Sequence, residues 1–251
     1  MTDQDLARLL LEARAGKPMQ AGLQVGDEAQ AYRVQALVMA ELGEIGGWKV
    51  GATGPAAAPN CAPLPKSGIL ETPAECDWRS FTQREVESEI FFRLGRDLPP
   101  RAAPYTAADI LAAIASCHPG IEILQSRLPD PDHAGPLAVL ADFIQHGAYV
   151  SGPAIADWQA IDFAALAIAQ SIEGPADGED ILVVRRGNPA GDMIRLLVWL
   201  ANEGAAWAGG LKASQVLTCG SWTGKTRAPA GSRVTAAFDG AAEVSLRFTR
   251  P

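Results

Sequence analysis

Arg84-Glu85-Val86-Glu87-Ser88-Glu89-Ile90-Phe91-Phe92-Arg93-Leu94-Gly95-Arg96-Asp97 reads as a strand carrying acid along one side. At a side-chain period of two, Val86, Ser88, Ile90 and Phe92 share one face, and Glu85, Glu87, Glu89 and Phe91 share the other; Gly95 closes the run. Glu87 and Glu89 therefore point the same way. Among Ile90, Phe91 and Phe92 the two like charges repel unless a cation or protons intervene. A hard divalent metal resolves that conflict, and a solvated edge strand whose carboxylates face water also resolves it. The stretch alone leaves both readings open.

The rest of the chain narrows the choice. Its 251 residues are 48% hydrophobic, ample for a large core, and its net charge of -8 offers no basic stripe for nucleic acid. Cys61, Cys76, Cys117 and Cys219 are scattered, with no C-x-x-C pair, so reduced and partly buried thiols are expected rather than a zinc knuckle or a disulfide framework. The N-terminus is acidic and polar, no apolar run is long enough to span a bilayer, and the cytoplasm is the expected compartment.

Helical spacing predicts an amphipathic helix from Asp3 to about Ala15, capped by Thr2 or Asp3, and a second from Asp27 to about Leu42, stopped by Gly43. A short strand follows over Gly46-Gly47-Trp48-Lys49-Val50-Gly51, with one lysine in an apolar setting. That lysine either snorkels to water or sits in a pocket. Residues 52 to 82, rich in Ala and Pro, read as a long irregular connection with at most a brief strand at Gly68-Ile69-Leu70. Thr106 opens a helix expected to run to about Ser116, and Gly120-Ile121-Glu122-Ile123-Leu124 reads as a second buried strand interrupted by one acid. Leu128 to Pro136 is a polar loop able to move over a site. Strands are expected at Ala148 to Gly152, at Ala164 to Ile172 and at Ile181 to Val184, the last two joined through Gly174-Pro175-Ala176-Asp177-Gly178. Asn188-Pro189 reads as the start of a helix reaching about Asn202. Strands broken at Ala228 to Gly231 and at Asp239-Gly240 fill the region from Gln215 to Arg247.

Two helices ahead of a strand-rich remainder predict an α+β fold, in one domain over residues 1–251 with 1–45 as a helical subregion. Gly220 to Thr226 is one residue short of a phosphate-binding loop and is followed by Pro229 and Gly231 instead of a helix, so it reads as a strand-to-turn segment. His118, His133 and His146 lack H-E-x-x-H spacing, and no serine sits in a G-x-S-x-G elbow. What stands out is Glu87, Glu89 and Glu122 on two apolar strands, with Lys49 on a third. An oxygen-only set suits magnesium or manganese, and three carboxylates leave coordination positions open for a chelating substrate.

Gly47 to Gly51, Val86 to Leu98 and Ile121 to Arg127 together resemble the 2-keto-4-pentenoate hydratase and 4-oxalocrotonate decarboxylase family, within the fumarylacetoacetate-hydrolase-like superfamily. Gly187-Asn188-Pro189, Trp199 to Asn202, Gly210 to Ala213 and Gly220-Ser221 continue the likeness in order. It implies N-terminal helices ahead of a mixed, largely β core, and a divalent metal, Mg2+ or Mn2+, held by Glu87, Glu89 and Glu122. It further implies a small 2-oxo acid substrate, with Lys49 holding its carboxylate or moving a proton between dienol and ketone, at a pKa lowered by the metal. Ser221 is a further expected substrate contact. The reaction so implied is hydration of a 2-hydroxydienoate such as 2-hydroxypenta-2,4-dienoate in aromatic catabolism. Decarboxylation of a 2-oxo-enedioate, hydrolysis of an acylpyruvate and a non-catalytic partner role are the alternatives. A homo-oligomer, alone or joined by a related hydratase or decarboxylase subunit, is the implied assembly. Two segments depart from the family pattern. Pro65-Lys66-Ser67-Gly68 stands where Pro-Asp-Phe-Gly is common, and Asp142-Phe143-Ile144-Gln145-His146 stands where Asp-Asn-Ala-Ser-Ser is common, leaving Gln145 and His146 as replacement polar groups for substrate.

Overall fold

The computed structural model describes residues 1–175, 179–239 and 243–250. Helix α1 (Asp3–Arg14) opens on a reciprocal cap, Thr2 accepting from the Asp5 N–H while the Asp5 carboxylate accepts from the Thr2 N–H. Such a cap contributes about 1 kcal/mol. Helix α2 (Glu28–Leu42) is capped by Asp27 and ends at Gly43, whose φ of 99° only glycine adopts without strain. Both helices follow the expected boundaries. Leu6, Leu10, Val34 and Val38 bury their stripes against Leu140, Ala141 and Phe143 from helix α4 (Pro136–Ala141) and the turn after it.

The first sheet contains β1 (Ile45–Gly51), β2 (Asn60–Pro65), β3 (Ile69–Glu71), β5 (Glu85–Leu94), β6 (Ile114–Leu124), β7 (His146–Ser151), β10 (Val216–Thr218) and β11 (Thr226–Arg227), in the order β2-β1-β10-β5-β6-β7-β3. Strands β10 and β11 both pair with β5, at Phe91 to Arg93 and at Glu85 to Val86. The second sheet has the order β4-β13-β12-β8-β9, from β4 (Ala74–Cys76), β8 (Ala167–Glu173), β9 (Ile181–Arg186), β12 (Arg233–Phe238) and β13 (Glu243–Phe248). The architecture is α+β, as expected.

Ile90, Phe92, Ile121, Ile123 and Val150 of the first sheet join Ile168, Val234, Val244 and Leu246 of the second in one buried cluster. This is where Val86, Ser88, Ile90 and Phe92 point. Ser88 is fully buried there, and its hydroxyl donates to Gln170 Oε1 at 2.6 Å, linking the sheets across an apolar interior. The acid-bearing face of β5 looks the other way. All four cysteines are free and buried.

Three expectations are corrected. Residues 60–65 form β2 despite Pro63 and Pro65, because β2 is an edge strand, where a missing N–H costs no ladder bond. The helix from Thr106 is only α3 (Ala107–Leu111), and β6 starts at Ile114; pairing with β5 along its length overrides the helical spacing of residues 114–116. Asn188-Pro189 makes a turn in which Asn188 Oδ1 accepts from the Ala190 N–H, and Asp192 caps helix α5 (Met193–Trp199), which passes into a wider helical turn at Leu200–Gly204. The expected turns at 174–178 and 239–240 fall partly outside the described residues.

Gly120 is a point of close approach. A Cβ there would lie 2.2 Å from the Tyr149 hydroxyl, so the Tyr149 ring rests directly on the bare backbone of β6. Gly120→Ala is therefore expected to lower stability by about 1–3 kcal/mol, the usual cost of overpacking. Urea unfolding checks it, and an unchanged midpoint would refute the assigned packing.

Candidate active site

Alternation along β5 and β6 and their register decide where the acids meet. Glu87 pairs directly with Glu122 across the ladder, and Glu89 pairs with Gly120, so all three carboxylates occupy one face. One oxygen from each lies within 4.8 Å of the others. Lys49 arrives from β1 on the same face, because Lys49 pairs with Thr218 of β10 and Thr218 with Phe91 of β5. Its Nζ donates to both oxygens of Glu122, at 2.8 and 2.7 Å, and to the Ile144 carbonyl at 3.2 Å. Lys49 does not snorkel; it is only 8% exposed.

The electrostatics follow from burial and neighbours. Glu89 is pushed well above the ordinary carboxylate range by burial and by Glu122, and Glu87 is raised by burial and then opposed by Lys49. Burial also acts upward on Glu122, but Lys49 and His146 outweigh it and hold its carboxyl below the ordinary range. Burial pulls Lys49 down, and Glu122, Glu87 and Glu89 together push it further up. The carboxylates thus act on Lys49 in the opposite sense to a cation placed beside it. Lys49, with Lys225 beyond Glu87, against three acids leaves this face short of positive charge, which is the condition a divalent cation would satisfy. Glu89 and Glu122 form the buried base of the cluster, and half-buried Glu87 lies toward solvent.

His146, at the start of β7, is fully buried and places Nδ1 2.8 Å from Glu122 Oε1. Burial holds its pKa down, so the neutral ring donates through Nδ1, and Nε2 keeps an unpartnered lone pair. Gln145 lies beside it, its Oε1 accepting from Lys225 Nζ at 2.6 Å and its Nε2 donating to the Pro131 carbonyl at 3.3 Å. The backbone that sets both side chains is unusual. Phe143, Ile144 and Gln145 have φ of 57°, 51° and 62°, three consecutive left-handed residues of which Ile144 is β-branched.

A buried clamp holds that turn. Asp142 accepts from Arg127 Nε at 2.5 Å, from the Arg127 N–H at 2.9 Å and from Ser126 Oγ at 2.8 Å, while Arg127 donates onward to the His146 carbonyl at 2.7 Å. Ser221 lies apart from these contacts, its hydroxyl accepting from the Gly224 N–H at 2.9 Å within the turn after β10. Lys66, in place of the family's acid, is exposed and pairs with Glu44 at 2.8 Å.

Sequence reasoning missed Thr218, Tyr149 and Lys225. Thr218 Oγ1 donates to Glu89 Oε2 and accepts from the Tyr149 hydroxyl at 3.2 Å, which fixes the rotamer of Glu89. Lys225 lies 3.8 Å from Glu85 and bridges to Gln145, adding a second ammonium near Glu87. Among these, a lone lysine in the near-miss phosphate-loop segment was the only visible signal.

No family model matches the chain. A 2-hydroxyhexa-2,4-dienoate hydratase of Comamonas testosteroni is 32% identical over 167 residues, 66% of this chain and 61% of that protein, so the chain spans about three-fifths of that relative's length in the match. A 2-keto-4-pentenoate hydratase of Burkholderia vietnamiensis is 29% identical over 262 residues, covering 97% of this chain and 96% of that one. The solved structure of 4-oxalocrotonate decarboxylase from Pseudomonas putida G7, complexed with magnesium and adipate, superposes with a TM-score of 0.80 at 20% identity, over 99% of this chain and 98% of that one.

Proposed function

We propose that this chain, by its likeness to these hydratases, is a member of the 2-keto-4-pentenoate hydratase and 4-oxalocrotonate decarboxylase family and a divalent-metal-dependent hydratase of a short 2-hydroxy-2,4-dienoate. The observation that carries the reading is the convergence of Glu87, Glu89 and Glu122 within 4.8 Å beside a buried lysine. These residues fit a hard cation, magnesium or manganese. The donors are all oxygens, two of the carboxylates resist ionisation when left to themselves, and the similarly folded 4-oxalocrotonate decarboxylase was solved with calcium and with magnesium. Bound there, the ion supplies fixed positive charge where enolate charge develops on a 2-oxo acid.

The chain's own groups do the rest. Thr218 and His146 hold Glu89 and Glu122 in place, so that the carboxylates need no rearrangement as charge develops. Lys49 Nζ, raised by the acids and thus protonated at neutral pH, is the group assigned here to hold the substrate carboxylate and to exchange a proton with the 2-oxygen as dienol becomes ketone. Ketonisation protonates C5, after which water adds at C4 and C3 takes a proton. Lys225 and Gln145, hydrogen-bonded to each other, are assigned to the distal end of the substrate.

The test is an ultraviolet assay on freshly generated 2-hydroxypenta-2,4-dienoate with product identification. Turnover to 4-hydroxy-2-oxopentanoate is expected to vanish with a chelator and to return with magnesium or manganese. Chelator-resistant hydration would refute the metal reading. Carbon dioxide release from a 2-oxo-enedioate, with no hydration, would replace the hydratase by the decarboxylase. The chain contains no helix long and apolar enough to cross a membrane among its described residues.

A further inference from the structure

A cavity of about 550 Å3 lies between the end of α1, the turn preceding β5 and the chain leaving β6. Arg14, Arg79 and Arg127 line it together with the hydroxyl residues Ser80 and Thr82, and no Asp or Glu lines it. Three guanidinium groups around one opening make a strongly positive interior. Two of them have partners. Arg127 is committed to Asp142 and to the carbonyls of Gln125 and His146, and exposed Arg79 lies 3.8 Å from Asp77, on its own turn.

Arg14 is different. Its guanidinium lies over the Phe143 ring, 4.7 Å from the centroid, and its Nε and Nη2 are shielded from bulk water without any hydrogen-bond acceptor. Those two nitrogens form the same edge of the planar group, the parallel pair of N–H donors that matches a carboxylate. Burial, and then the Arg127 charge, draws the Arg14 pKa down to about 9, with Asp142 acting weakly the other way. A buried cation with an idle two-donor edge is costly unless an anion completes it. Among the described residues no carboxylate of this chain does so.

We propose that this cavity is a binding site for a small carboxylate anion, gripped by the Nε and Nη2 edge of Arg14 once that side chain turns from its shielded position into the opening, with Arg127 and Arg79 supplying the surrounding positive potential. The planar edge selects a carboxylate over a spherical halide. The hydroxyls of Ser80 and Thr82 give the far wall hydrogen-bonding capacity for a polar or second acidic end. This site is separate from the carboxylate cluster, and it stands whether or not the protein is a hydratase.

The test is calorimetric titration of succinate into the full-length protein in the presence of a chelator, which keeps the acidic cluster out of the measurement. Saturable binding at one site per chain is expected in the wild type. Arg14→Gln should weaken it roughly tenfold or more, Arg14→Lys should weaken it by an intermediate factor because charge is kept and the edge lost, and Arg79→Gln by about two- to threefold. Circular dichroism identifies any variant that fails to fold, and Arg79→Gln, at an exposed position, then serves as the independent arm. No saturable binding in the wild type, or equal affinity in every folded variant, would overturn the assignment. A changed sedimentation coefficient for Arg14→Gln without succinate binding by the wild type would place an acid of a second copy on the edge, and would overturn it equally.

Discussion

Glu89→Gln is expected to lower metal-dependent turnover by roughly 10²–10³-fold, the range for losing a preorganised electrostatic stabiliser, while leaving the metal-free protein at least as stable as the wild type. The two effects have one cause. Glu89 is 1% exposed, and burial and Glu122 push it toward its protonated form. A neutral amide of the same shape therefore relieves repulsion among the acids and can still accept from Thr218. It removes one hard anionic ligand. Thermal melts with and without magnesium, run beside the activity assay, separate these consequences: the magnesium-induced rise in Tm should largely disappear in the variant. Full magnesium-dependent activity in Glu89→Gln would remove this carboxylate from the metal site.

The second large effect concerns a residue outside the cluster. Asp142→Ala should cost about 3–5 kcal/mol, because it leaves Arg127 buried without its counter-charge. For a chain of this size that corresponds to a fall in Tm of roughly 6–20 °C. Arg127 is 8% exposed and Asp142 fully buried, so water cannot take the place of the lost carboxylate. Arg14, stacked on Phe143 next door, adds a like charge that worsens the imbalance. Activity should fall as well, since the clamp holds the turn that sets the Ile144 carbonyl on Lys49 and His146 on Glu122. Urea unfolding gives the first number and the hydration assay the second. A variant as stable as the wild type would show that the pair contributes nothing net.

Much of the fold was legible where the signal is local. The caps at Thr2 and Asp27, the stop at Gly43 and the alternation of Val86 to Phe92 are written within a few residues of the structure they make. Legibility failed where distant partners decide. Nothing near Pro63 announces an edge strand, because its tolerance for proline comes from lying at the border of a sheet built elsewhere in the chain. Residues 114–116 look helical in isolation and are drawn into β6 by β5. At the candidate site, Glu87, Glu89, Glu122 and Lys49 stood out as charges in apolar company. Thr218 and Tyr149 did not, since a threonine and a tyrosine in strands are unremarkable until the register sets them beside Glu89. The left-handed turn at Phe143 to Gln145 was invisible for a physical reason. An isoleucine at φ 51° runs against local preference, and what supports it comes from residues distant in sequence: the Arg127 to Asp142 clamp, and Lys49 on the Ile144 carbonyl.

The pairing of Glu87 with Glu122 makes parity a safeguard for the site. Sliding β5 by one residue against β6 would set Val86 or Ser88 opposite Glu122, while alternation would carry the glutamates into the hydrocarbon between the sheets. No half-correct arrangement exists between those two. A nascent chain that mispairs these strands is penalised by buried acid before any ligand is encountered, so the residues proposed to hold the cation also proofread the sheet that presents them.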